Sequence, residues 1–245
     1  MKLFDANASV GVSTTSARTK HYTAQDLLAD MDHFGIERAL VYHDLSKSYD
    51  PAVGNERLME TIRGHDRLLP CWALLPHHSG DMKEPRSLVR ELRERDVRAV
   101  RLYPKTHSFS LAEWCCGELL GELEQARLPL LLESDEANLD EVASLAAAHP
   151  NLPVVLCSIS YRLDRCIYPL FQKHRNLHLE LSWYSVHRGI ETFCVKLGAE
   201  QLLFGTRIPT FTPGAAVTHL SYAEISEQQR EMIASGNLRK LLGIQ

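Results

Sequence analysis

Apolar positions along this chain fall into two alternating rhythms. Runs of mostly apolar residues stand at 3–6, 39–42, 68–75, 97–103, 129–133, 153–158, 177–182 and 201–205. Each run is too short for an ordinary helix and lacks strict in–out alternation, the pattern of a strand covered on both faces. Between the runs, apolar residues recur at helical spacing. Thr23 with Asp26 three residues later makes a helix start, Leu27, Leu28, Met31 and Phe34 line one face, and Gly35 ends it. Further helices are expected over 55–63, 84–94, 111–127, 139–149, 163–174 (with Pro169 inside), 186–197, 226–235 and 237–242. A polar loop rich in Ser and Thr follows the first strand.

Strict alternation of strand and helix implies parallel strands joined by right-handed crossovers. Eight such units in 245 residues predict an α/β fold, a single-domain (β/α)8 TIM barrel over residues 1–245. The competing open, doubly wound sheet is weakened because no Gly-x-Gly-x-x-Gly follows the first strand.

Composition narrows the function classes. The net charge is −4 and no basic run is interleaved with aromatics, so neither nucleic acid nor an anionic membrane is an expected partner. No apolar run reaches the ~20 residues of a membrane helix. Met1 to Asp5 lacks the charged-then-apolar pattern of a leader. Cys71, Cys115, Cys116, Cys157, Cys166 and Cys194 include no Cys-x-x-Cys pair, and reduced thiols in a cytoplasmic protein are expected.

In a barrel of this kind the chemistry sits where the strands end. Four stretches there carry a resemblance: Leu3-Phe-Asp-Ala-Asn-Ala-Ser-Val-Gly11, Val97-Arg-Ala-Val-Arg-Leu-Tyr-Pro104, Leu128-Pro-Leu-Leu-Leu-Glu-Ser134 and Leu202-Leu-Phe-Gly-Thr-Arg-Ile-Pro209. With Asn237-Leu-Arg-Lys-Leu-Leu-Gly243, they resemble the amidohydrolase superfamily, in its branch of metal-dependent hydrolases and decarboxylases. The resemblance implies an Asp-x-His-x-His first strand whose two histidines reach one metal. Here those positions hold Asn7 and Ser9. Glu133 stands for the fifth-strand ligand, Ser158 for the sixth-strand histidine, and Arg207 for the eighth-strand aspartate. An arginine stays protonated and repels a cation, so no metal and no cofactor are expected.

The residues expected near the mouth are Asn7, Arg101, Tyr103, Glu133, Ser158, Glu180, Ser182 and Arg207. Arg101 and Tyr103 share one face of their strand by parity, as do Glu180 and Ser182. Charges buried together demand partners, so Arg207 is expected to pair with Glu133 or Glu180. Three readings stay open. The pairs fill the space a metal would occupy; or Arg101 and Arg207 grip a carboxylate or phosphate of a small ligand; or Glu133, raised in pKa by burial, is a catalytic base. His43 and His107, just past strand ends, are further candidate ligand contacts, and with Glu133 they offer a relocated metal site. An active hydrolase and a non-catalytic binding or partner subunit both fit this pattern. The resemblance also implies a homodimer.

Overall fold

The computed structural model describes residues 1–12 and 21–244. The expected Ser/Thr-rich loop falls largely at 13–20, outside the described residues.

Nine strands form one sheet, ordered β2-β1-β3-β4-β5-β6-β7-β8-β9. They are β1 (Leu3–Val12), β2 (His21–Tyr22), β3 (Ile36–His43), β4 (Leu68–Leu74), β5 (Ala99–Leu102), β6 (Leu130–Glu133), β7 (Val154–Cys157), β8 (Leu177–Glu180) and β9 (Leu202–Leu203). All pair in parallel except β2, which lies antiparallel on the end of β1. The sheet closes on itself. Ala6 N–H donates to the Phe204 carbonyl at 3.0 Å and Ser9 N–H to the Ile208 carbonyl at 2.9 Å, and Ala8 bridges Ile208 in parallel. Eight parallel strands thus make the barrel, and β2 is an added ribbon that apolar patterning did not reveal.

The helices are α1 (Ala24–Phe34), α2 (Leu45–Ser48), α3 (Pro51–Thr61), α4 (Pro85–Glu94), α5 (Glu113–Ala126), α6 (Leu139–Ala148), α7 (Asp164–Lys173), α8 (Gly189–Leu197), α9 (Pro213–Ser221), α10 (Glu227–Glu231) and α11 (Asn237–Leu241). Thr23 and Asp26 close the expected capping box, and Gly35 adopts a left-handed cap at φ 71°. Helix α9 was not expected. The helix expected at 226–235 is broken: after α10 the backbone widens into a π turn over Met232–Gly236. Its Ile233 carbonyl accepts from Phe204 N–H at 3.0 Å, which ties the C-terminal helices to the last strand.

Two apolar layers result. Phe4, Leu40, Leu131, Val155 and Leu203 are among those packed with Leu238 and Leu242. The larger layer, which includes Val41, Leu74, Leu102, Leu132 and Leu179, lies with the surrounding helices. Both are closed to solvent. None of the six cysteines is in a disulfide. No helix among the described residues is long and apolar enough to cross a membrane.

Candidate active site at the barrel mouth

Polar side chains cross the barrel interior at its C-terminal end. Arg101, on β5, is 1% exposed. Its Nη1 donates to Glu133 Oε1 on β6 at 2.8 Å, and its Nη2 donates to Asn7 Oδ1 on β1 at 2.7 Å. Strands β1 and β5 are not neighbours in the sheet, so the second bond spans the interior. Asn7 Nδ2 then donates to Glu180 Oε2 on β8 at 3.0 Å. The guanidinium also lies over the Tyr42 ring, 4.2 Å from its centre. A chain from Glu133 through Arg101 and Asn7 to Glu180 therefore links four strands.

Glu180 is held by uncharged donors. Besides Asn7, it accepts from Ser182 N–H at 2.5 Å, from Ser182 Oγ at 2.8 Å and from Ser158 N–H at 3.4 Å. Burial pushes its carboxyl up to about 7 despite these bonds, and the nearby Asp5 adds to the rise. Gly205 leaves room for it: a Cβ there would lie 2.1 Å from Glu180 Oε1. Asp5 itself staples the first strand to the chain leaving the last. It accepts from Asn7 N–H at 2.9 Å, from Thr206 N–H at 2.9 Å and from the Thr206 hydroxyl. Burial raises its carboxyl too.

Glu133 behaves differently from the expected base. Burial alone would raise its carboxyl, but Arg101, Arg207, Ser158 and Lys47 together hold it below the usual range. It is an ionised partner of Arg101.

Arg207 is half-buried and pairs with neither expected glutamate. Among the described residues no carboxylate lies within 4 Å of it; its guanidinium stands 5.4 Å from the Phe211 ring, which stacks on Trp183 at 4.6 Å. The cause is the backbone. Arg207 lies past β9 in a left-handed turn, φ 56°, whereas Arg101 sits within β5 and points inward from a rigid element. Ser158, past β7, has the same left-handed geometry at φ 58°. Such conformations cost of order 1–3 kcal/mol for a residue with a side chain and gather where chains build sites.

A second group lies beside this chain. Lys47 Nζ reaches Glu136 Oε1 at 3.1 Å and stands 5.0 Å from the Tyr103 ring centre. Glu136 also accepts from Thr106 N–H at 2.9 Å and Thr106 Oγ1 at 2.6 Å. His107 Nε2 contacts the Lys47 carbonyl at 3.0 Å and its ring meets Tyr103 edge-on. Lys47, Asp44 and Glu136 were missed in the sequence because a four-residue helix and the loops beside it carry no periodicity. His43 is closed off: its Nδ1 accepts from Leu45 N–H at 3.2 Å, its ring lies against Gly11, and burial lowers it to about 4.

Buried polar atoms without a partner concentrate here. They include Asp44 Oδ2, Arg101 Nε, Tyr103 Oη, His107 Nδ1, Glu133 Oε2 and Ser158 Oγ. Ser158 Oγ lies near Glu133 without closing a well-formed hydrogen bond. These are groups that a ligand or ordered water can meet.

Two of the positions the resemblance assigns to a metal are engaged within the protein. Asn7 Oδ1 and Glu133 Oε1 are both engaged by the Arg101 guanidinium. Nor do His43, His107 and Glu133 converge. Among the described residues the one three-ligand group is His77, Glu84 and Glu118, on the outside of the barrel near α4 and α5.

A parallel eight-stranded barrel with a polar network at its C-terminal mouth is a framework that many barrel enzymes share. The sequence profile of the amidohydrolase family matches residues 14–244, and the chain belongs to that family. No curated protein sequence matches it. Solved structures share the fold at low identity. An uncharacterized TIM-barrel protein of Bordetella bronchiseptica aligns with a TM-score of 0.77 at 16% identity, covering 99% of each chain. A probable 2-pyrone-4,6-dicarboxylic acid hydrolase of Acinetobacter baumannii, solved with citric acid bound, aligns at 0.73 and 15%, covering all of both chains. The 5-carboxyvanillate decarboxylase of Novosphingobium aromaticivorans, solved with manganese and a nitrobenzoic acid, aligns at 0.73 and 13%, covering 99% of this chain and 96% of that one.

Proposed function

We propose that this protein is an amidohydrolase-family barrel that works without a divalent metal and takes a small anionic ligand, a carboxylate or phosphate, at its mouth. The observation that carries the reading is the division of labour between two arginines. Arg101 spends both terminal nitrogens on Glu133 and Asn7 and serves as the resident cation. Arg207, half-buried at the end of the last strand, has no carboxylate partner among the described residues and is the cation left for a ligand. Lys47 adds positive field, since it and Arg207 both act on Glu133. The orphaned atoms of Tyr103, Ser158 and Arg101 supply directional hydrogen bonds. That a fold neighbour holds citric acid is in keeping with a polycarboxylate ligand.

Arg207→Ala should abolish the thermal stabilisation that citrate and small dicarboxylates give the wild-type chain. Equal stabilisation of both proteins would sink the reading.

A further inference from the structure

Five carboxylates stand at or beside the mouth, and four have a cation or donors on both oxygens; Glu136 takes Lys47 at 3.1 Å and Thr106. Both oxygens of Asp5 are taken by Asn7 and Thr206. Both oxygens of Glu180 are taken by Asn7, Ser182 and Ser158. Glu133 is neutralised by Arg101 through Oε1 at 2.8 Å, although its Oε2, like Asp44 Oδ2, has no hydrogen-bond partner. Asp44 remains. It follows β3, its backbone N–H is fixed to the Val10 carbonyl at 2.9 Å, and its Oδ2 is buried with no partner. No cation lies within 4 Å of it among the described residues, although Arg101 and Lys47 act on it from β5 and α2 and the Ser9 hydroxyl approaches from β1. Tyr42, on its own strand, feels Asp44, Arg101, Glu133 and Arg207 together, so these groups share one neighbourhood.

An ionised carboxylate oxygen can only accept. Left buried and unmet, it costs free energy that a ligand's donor group recovers. The donor should be neutral: Lys47, Arg101 and Arg207 make the region hostile to an ammonium group, while Arg207 attracts the ligand's anionic end. We propose that Asp44 is the ligand's hydrogen-bond acceptor, so that the mouth selects a hydroxylated carboxylate over its deoxy counterpart. The inference rests on the reading of the mouth as an anion site.

Matched pairs test it: malate against succinate, and citrate against tricarballylate, with aspartate as the ammonium probe, by calorimetric titration of the full chain at pH 7.5. The hydroxylated member should bind roughly ten- to a hundred-fold tighter, the range of one hydrogen bond to a charged group. Asp44→Ala should bring the malate-to-succinate affinity ratio down to near one, whatever change in overall anion affinity the loss of a negative charge brings. Asp44→Asn, which keeps the size but not the charge, should lose part of the preference and guards against a folding defect. Equal binding within both pairs by the wild-type protein overturns the role of Asp44 while the anion site stands. Aspartate binding tighter than malate overturns it too. Binding of no member of either pair brings down the anion site itself, and the Asp44 inference with it.

Discussion

Arg101 and Glu133 form an ion pair at 2.8 Å, with side chains 1% and 3% exposed. A pair so deeply buried is costly to make and far costlier to break. Arg101→Met leaves Glu133 charged and unpaired in the interior. We expect a loss of roughly 3–5 kcal/mol in denaturant unfolding. Arg101→Lys should not restore it, because a single ammonium cannot reach Asn7 and Glu133 together as the planar fork does. A lysine variant as stable as the wild type would show that charge alone matters here.

Gly205 and Glu180 are fitted to one another. A methyl group at 205 would collide with Glu180 Oε1 at 2.1 Å. Gly205→Ala should cost roughly 1–3 kcal/mol, and the cost should largely vanish in the Glu180→Ala background. Strict additivity in that double-mutant cycle would mean that the glycine is needed for some other reason.

The carboxyl of Glu180 is raised from 4.5 to about 7. A raised acid stabilises the folded chain in its protonated form. Its contribution is fully present below about pH 4.5 and is lost as pH rises through 7. Over that window the wild-type protein should lose roughly 3 kcal/mol on account of this group. Asp44, raised to about 6 by burial, acts in the same direction with a smaller share. Glu180→Gln should flatten the profile between pH 4.5 and 7. The slope is the readout, since the amide's own misfit shifts stability at every pH. An unchanged slope would place the titration elsewhere.

Metal binding should be absent from the mouth. Protein purified without chelator should hold far less than one zinc, manganese or iron per chain. Any weak zinc uptake should belong to the outer group, in which His77 Nε2 lies 3.2 Å from Glu84 and 3.6 Å from Glu118. His77→Ala should remove that uptake and Glu133→Gln should not. A stoichiometric metal lost on Glu133→Gln would overturn the metal-free mechanism.

The framework was legible because it rests on local rules. Strand and helix periods, the Thr23–Asp26 capping box and the Gly35 stop each depend on residues close in sequence. Parity placed Arg101 and Glu180 on inward faces. What parity cannot supply is distance between strands far apart in sequence. Arg207 was expected to take a glutamate; Arg101 takes Glu133 instead, because β5 aims it across the interior while Arg207 turns away past β9. Glu133 was expected to be raised by burial, and the same pairing lowers it.

By itself, then, the sequence determined the order of eight βα units and which residue types stand at the strand ends, since both follow from residue type and short-range spacing. The tertiary structure alone decided who pairs with whom. It gave Arg101 to Glu133 and Asn7, surrounded Glu180 with uncharged donors, and left Arg207 and Asp44 without an ion-pair partner among the described residues. Those outcomes depend on which strands face each other across a closed barrel, and on distances of a few ångströms that no one-dimensional pattern encodes.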